Sequence, residues 1–161
     1  MFPTFSKVIL YWFSNILNRG VAAKFQGVLP SVLCFYVLLM GMQIFCGVDI
    51  IEISRFDAGH LANQKFLDLC FTKDEQTYCF SMKNPAPHFA ARFAAKEAVV
   101  KALSGFGKSL VYCAIEIKKE ANGRPYVVLL SDDEELCRVK IDVSLSHAES
   151  HAAASAVVYL P

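Results

Sequence analysis

The feature that most limits the fold is "FAARFAAKEAVVKAL", Phe89 to Leu103, in which six alanines and two phenylalanines share fifteen residues with four charges. At about 100° per residue the alanines fall together between about 100° and 240° from Phe89. A face that smooth predicts a helix lying close against a sheet or another helix, since no bulky side chain holds the backbones apart. Phe89, Phe93, Val100 and Leu103 cluster within about 40° of zero, with Arg92, Lys96, Glu97 and Lys101 interleaved around them. A surface helix segregates such classes. Here both faces are expected to be covered, with the charges directed into a cleft or a subunit interface.

The flanking segments define where this helix begins and ends. Upstream, "SMKNPAP" interrupts the chain, because Pro85 and Pro87 restrict the residues before them and donate no backbone bond. Downstream, Gly105 and Gly107 in "SGFGKS" permit backbone conformations closed to other residues and predict the stop. "QIFCGVDIIEI", Gln43 to Ile53, reads as a strand buried on both faces, with Asp49 in its middle. "DAGHLANQKFLDLC" has apolar residues at Leu61, Phe66, Leu67 and Leu69 and reads as a helix, and Thr72 with Glu75 has the spacing of a capping box.

"YCAIEIKKEANGRPYVVLL" predicts a β-hairpin turning through Asn122-Gly123, a pair that tolerates positive φ at both central positions. "SDDEELCRV" predicts a short helix capped by Ser131, and "KIDVSLSHAESHAAASAVVYL" two further strands around a Ser-His turn. Helices interspersed with strands, one pair of which is antiparallel, make the fold class α+β: an antiparallel sheet packed against the long alanine-rich helix.

With 161 residues, 55% hydrophobic and 19% charged, the chain is long enough for one domain with a real core. Sixteen basic and fifteen acidic residues leave no net field toward nucleic acid or an anionic membrane. The six cysteines form no C-x-x-C pair and no spacing suited to zinc, and read as reduced core residues.

Residues 1–41 are a separate apolar extension from the domain 42–161. No charge stands between Val28 and Val48, while Lys7, Arg19 and Lys24 lie upstream, the pattern of a signal anchor. A spanning helix needs about 20 apolar residues, and the strand beginning at Gln43 leaves too few after Pro30. Three readings stay open: a membrane anchor, a loosely attached amphipathic extension, or translated upstream sequence that the native product lacks. The third is favoured because Met42 immediately precedes the strand, and contact with a membrane is expected only if 1–41 is native.

Glu97 and Lys101 have i,i+4 spacing, for which an ordinary helix salt bridge is one reading. Asp49 supplies another. An ionised carboxylate inside a buried strand is costly unless it is paired or bound to a metal. One acid on a strand and one on a helix form a half-site of hard oxygen donors for Mg²⁺, with water and a substrate phosphate completing the octahedron. Arg92, Lys96 and Lys101 are then candidate phosphate partners.

"GVDIIEISRF", the R-F-A-A-K-E-A-x-x-K-A helix with its glycine loop, "NGRP" and "VSLSHAESHAAASAVV" occur in one order across 42–161. In that order they resemble holo-acyl-carrier-protein synthase, a 4′-phosphopantetheinyl transferase. The resemblance implies a compact α+β domain forming a homotrimer with active sites between subunits, in a cytoplasmic enzyme of fatty acid biosynthesis. It implies transfer of the phosphopantetheine arm of coenzyme A to a serine of acyl carrier protein, releasing adenosine 3′,5′-bisphosphate. By the same match Asp49 and Glu97 hold Mg²⁺, and Lys101, with Arg92 and Lys96, contacts phosphates. Gly105 and Gly107 let the chain pass close to the cofactor, His147 approaches the nucleotide, and Arg55 docks the acidic carrier. The proton acceptor is open between Asp49 and Glu97, through a relaying water.

Ala148 stands where the family often has threonine, and only Lys65 joins Arg55 as a further positive charge in the docking segment. His147 has an alternative as a turn histidine bonding its own backbone. A non-catalytic trimer that binds coenzyme A or the carrier, and a membrane-anchored adaptor, are the competing functional classes.

Overall fold

The computed structural model describes residues 43–160, so the readings of residues 1–41 and of a start at Met42 lie outside the described residues. Among the described residues no helix is long and apolar enough to cross a membrane.

A strand β1, Ile44–Glu52, pairs antiparallel with β5, His151–Tyr159, which also pairs antiparallel with β4, Lys140–His147. The sheet order is β1-β5-β4, so β5 is central and the other two strands are edges. Against one face lies a 21-residue helix, Pro85–Gly105. Three short helices precede it in the chain, so it is α4.

The alanines of α4 act as the packing surface: Ala90, Ala91, Ala94, Ala95, Ala98 and Ala102 are all buried. They meet a sheet face that is equally small, with buried Ala152, Ala154 and Ala156 on β5 and Gly47 on β1. At Gly47 the approach is backbone to backbone, since a Cβ there would stand 1.9 Å from the carbonyl oxygen of Ala98. Closeness of this kind needs both a smooth helix and a strand without side-chain bulk. The 0° side of α4 is covered by a second layer, where Phe71 meets Phe89 edge-on at 4.9 Å and Phe56 meets Phe93 at 5.7 Å.

Within one copy β1 is buried on one face only, where the sequence predicts burial on both. Its positions alternate, with Gly47 and Ile51 covered by α4 while Val48 and Ile50 on the other face are 66% and 67% exposed. The alternation was hidden in the sequence because the outward residues before Glu52 are apolar too.

Between β1 and α4 the chain forms a 3-10 turn, Ile53–Phe56, and the three short helices: α1, Ala58–Leu61; α2, Gln64–Cys70; and α3, Lys73–Phe80. The single helix expected over Asp57–Cys70 is thus two, each with its own cap. Asp57 accepts from the His60 N–H and Asn63 from the Phe66 N–H, and the chain reverses between them. Leu69, counted toward the apolar side, is exposed. The Thr72–Glu75 capping box is present in full at the start of α3.

The hairpin consists of β2, Ile115–Lys119, and β3, Pro125–Leu129, in the register Ile117 to Val127. Its connection differs from the expected two-residue turn. Gly123 alone has positive φ, at +90°, and its N–H donates to the Glu120 carbonyl at 2.9 Å. The loop is therefore an ordinary turn followed by a left-handed glycine, a longer connection common in hairpins. Helix α5, Glu134–Arg138, is capped by Asp133 rather than Ser131, whose hydroxyl instead accepts the Asp133 N–H at 3.2 Å.

Candidate active site

The charged residues of α4 go to three different environments. On β1, positions 45, 47, 49 and 51 face the helix, which places Asp49 opposite its C-terminal half. Lys101 reaches across to donate to Asp49 Oδ1 at 2.7 Å and to the Val48 carbonyl at 3.0 Å. The ammonium therefore pairs with the strand carboxylate, where a helix salt bridge would have joined it to Glu97. The hydrogen bond to Asp49 raises the Lys101 pKa above the ordinary lysine range. Glu97, one turn back, accepts a hydrogen bond from the hydroxyl of Tyr112. That bond pushes the Tyr112 hydroxyl up to about 12.

Asp49, Glu97, Lys101 and Tyr112 thus form one open cluster. The Lys101 and Asp49 side chains are 49% and 16% exposed, so an incoming anion can reach the lysine. Among the described residues no three or more His, Cys, Asp or Glu converge as a metal site. Two hard oxygen donors, with a cationic ammonium already drawn onto one of them, fit a divalent cation that takes its remaining ligands from water and phosphate.

Lys96 presents no charge to this cluster. It is fully buried, with its ammonium 2.6 Å from Glu75 Oε2 and donating to the Tyr112 carbonyl at 2.9 Å. Burial pushes its pKa down and the Glu75 carboxylate opposes that shift. Glu75 also accepts from the Ile117 N–H at 3.0 Å and the Thr72 N–H at 2.9 Å. The position expected to contact phosphate is closed off, because a cation placed at about −20° on the wheel points into the core where α3 and β2 meet the helix.

Arg92 takes a third direction. It is 6% exposed, lies over the Tyr78 ring at 4.1 Å, and keeps a buried Nε without a partner. The His88 ring meets Tyr78 at 6.1 Å and His147 at 5.9 Å, and the Lys119 ammonium stands 5.6 Å from the Tyr78 ring. Burial first, then Arg92, His147 and Lys119, hold the His88 imidazole below its usual pKa. A cavity of about 450 Å³ opens beside Tyr78, Arg92, Lys118 and Lys119, with Asp74, Glu75 and Glu116 also in its lining. His147 therefore joins a cluster with His88, Tyr78 and Arg92. The adjoining turn closes through the Ala148 N–H, which donates to the His151 carbonyl at 2.8 Å.

Arg92 and Glu97 stand roughly 140° apart around the helix axis, and His147 ends the edge strand opposite the one carrying Asp49. With Lys96 set apart in the core, the other charged site residues thus fall into two clusters on different sides of α4.

The glycines after the helix divide as well. At Gly105 a Cβ would stand 2.6 Å from the ring of Phe45, so its smallness serves packing. Gly107, with φ +78°, is the left-handed residue ending α4: its N–H donates to the Ser104 carbonyl and that of Lys108 to Leu103. Arg55 lines a separate cavity of about 360 Å³ with Ile51, Phe56, His60, Phe66 and Phe93. Lys65 is exposed on α2.

Tyr112, Tyr78, Glu75 and Gly47 had no sequence reading that pointed to the site. Tyr112 lies in a 3-10 turn, Tyr112–Ala114, within a run that reads as strand. Glu75 already had a sufficient role in its capping box.

Residues 45–156 match the family model of the 4′-phosphopantetheinyl transferase superfamily. The chain belongs to that superfamily. It is 46% identical over 119 residues to the holo-[acyl-carrier-protein] synthase of Protochlamydia amoebophila, covering 72% of this chain and 98% of the relative. Identity to the synthase of Moorella thermoacetica is 44% over 119 residues, covering 70% and 91%. Among solved structures, the acyl carrier protein synthase of Mycobacterium tuberculosis superimposes with TM-score 0.59 at 38% identity, covering 74% and 100%. The Helicobacter pylori synthase in complex with coenzyme A does so with TM-score 0.60 at 30% identity, covering 70% and 98%.

Proposed function

We propose that this chain transfers the 4′-phosphopantetheine group of coenzyme A to a serine of an apo-acyl carrier protein, releasing adenosine 3′,5′-bisphosphate, in the cytoplasm and in support of fatty acid biosynthesis. The observation that carries this reading is the meeting of Asp49, from the middle of β1, with Lys101 and its neighbour Glu97 on α4. Kinship to holo-[acyl-carrier-protein] synthases over nearly their whole length supports it.

Asp49 and Glu97 would hold Mg²⁺, which when bound supplies positive charge to the pyrophosphate oxygens during the transfer. Lys101 is tied to Asp49 by one charged hydrogen bond at a half-exposed position. It can exchange that partner for a phosphate oxygen as negative charge grows on the leaving group. The serine oxygen forms a bond to the β-phosphorus, the bond from that phosphorus to the bridging oxygen breaks, and the serine proton passes through a water to Asp49 or Glu97. The Arg92–His147 patch, with its unpartnered buried Nε, suits the phosphate-bearing nucleotide end of coenzyme A. Arg55 at the rim of an aromatic-lined cavity suits docking of an acidic carrier.

The two clusters lie on different sides of α4, and the outer face of β1 exposes Ile44, Val48 and Ile50. Both features favour an assembly of copies, a homotrimer as the family resemblance implies, in which one copy would supply Asp49, Glu97 and Lys101 and its neighbour Arg92 and His147. Mixing inactive Glu97→Ala and His147→Ala chains after unfolding and refolding together should restore roughly a quarter of the sites. No recovery places both clusters in one copy's site.

The test of the activity is incubation with apo-carrier, coenzyme A and Mg²⁺ followed by intact-mass measurement of the carrier. A gain of one phosphopantetheine arm on its serine is expected. An unmodified carrier at enzyme concentrations equal to its own overturns the reading.

A further inference from the structure

Tyr112 is held at three points. Its ring packs against Phe93 at 5.2 Å, its carbonyl accepts from the buried Lys96 ammonium at 2.9 Å, and its hydroxyl donates to Glu97 Oε1. Lys96 is in turn fixed by Glu75, whose carboxylate bridges the start of α3 and the N–H of Ile117 on β2. The tyrosine is therefore rigid at both ends of its side chain, and the group it presents is a donor aimed at one carboxylate oxygen.

A glutamate on a helix has three rotatable side-chain bonds, so on an open face it samples many orientations and loses that freedom when it takes a ligand. A donor fixed to Oε1 removes most of the freedom in advance and leaves Oε2 for another partner. Hydrogen bonds to the carboxylates of a metal site act in this way, and removing one costs about 10–100-fold in metal affinity or activity. The Lys96 charge, which has no route to a phosphate, gains a role on this geometry: it sets the Tyr112 turn from within the core.

We infer that Tyr112 is a positioning residue that fixes the Glu97 carboxylate through Oε1, with the buried Lys96–Glu75 pair holding Tyr112 in place. The inference rests on the reading of Glu97 as a metal ligand. Its consequence is that Tyr112 governs how tightly the divalent cation binds while contributing little once the cation is bound.

The test is Tyr112→Phe, which removes one oxygen and keeps the ring. Mn²⁺ binding to wild-type and variant protein in the presence of coenzyme A is followed by loss of the free-ion electron paramagnetic resonance signal, beside Glu97→Ala. Thermal unfolding in a chelator reports any structural change. Tyr112→Phe is expected to bind Mn²⁺ about tenfold or more weakly and to need correspondingly more Mg²⁺ for half-maximal transfer. Its rate at saturating ion and its unfolding temperature in chelator should stay close to wild type. Lys96→Met should weaken Mn²⁺ binding in the same direction if it folds, and if it does not, Tyr112→Phe decides alone. Equal Mn²⁺ affinity in wild type and Tyr112→Phe overturns the positioning role even if transfer slows, since the loss is then structural. Wild-type protein that takes up no Mn²⁺, or Glu97→Ala that binds it normally, overturns the metal reading itself and the inference with it.

Discussion

Lys96 and Glu97 are consecutive residues of one helix, yet the first is sealed in the core and the second faces an open cluster with Tyr112, Lys101 and Asp49. The roughly 100° between neighbours on a helix is enough to send one charge between α3 and β2 and the other toward β1. Charge in a helix therefore serves two different ends here. At Lys96 it ties elements together, and at Glu97 it is left available to a ligand.

The contrast is sharpest where the two losses should differ in kind. Glu97→Ala, or Asp49→Ala, is expected to lower transfer by about a thousandfold or more, the order that several kcal/mol of lost charge stabilisation gives. Each should leave the unfolding midpoint in chelator nearly unchanged. A steady-state assay beside thermal unfolding checks both parts, and full turnover by either variant removes the carboxylate pair from the mechanism.

Lys96→Ala should do the reverse, destabilising the fold by about 3–5 kcal/mol because the Glu75 carboxylate is left buried and unpaired. Urea unfolding measures the change. The double variant Lys96→Met/Glu75→Leu should recover most of that loss, since neither residue is then charged in the core. A double variant as unstable as the single one would show that the Glu75 bonds to Thr72 and Ile117, rather than the ion pair, carry the stability.

Gly47→Ala tests the packing that brings Asp49 within reach of Lys101. A Cβ 1.9 Å from the Ala98 carbonyl oxygen must push β1 and α4 apart, at a cost of about 1–3 kcal/mol. Activity should fall with stability as the Asp49–Lys101 distance grows. Wild-type stability in the Gly47→Ala variant would mean that the helix does not ride directly on the strand.

The smallest expected effect is on pH dependence at the other cluster. His88 titrates below its usual value of about 6.5 because the fold disfavours its charge. As pH falls through that value the unfolded chain takes up the proton first, so the stability associated with neutral His88 is present above it and is lost below it. Wild-type stability relative to His88→Gln should therefore decline slightly as pH falls below about 6.5. A difference that stays level there, or grows, contradicts the stated electrostatics of the Arg92 patch.

Much of the scaffold was legible because it rests on local rules. The alanine face of α4, the capping box at Thr72 and Glu75, and the paired runs of the hairpin follow from periodicity and backbone chemistry. The misses arise where distant segments meet. Lys96 falls among the apolar residues on the helical wheel, but its core role is visible only once Glu75 is seen beside it. Tyr112 carries no motif, and its relation to Glu97 depends on how the chain returns after Gly107. The outward residues of β1 before Glu52 are apolar, which conceals the alternation and makes an exposed face resemble a buried one.

The most direct measurement is anomalous diffraction from crystals grown with coenzyme A and Mn²⁺. A single strong peak bonded to one oxygen each of Asp49 and Glu97, with Lys96 still buried against Glu75, is the expected result. A peak bonded to neither carboxylate, or Lys96 turned out to the phosphates, would contradict the division of labour between two neighbouring residues of α4.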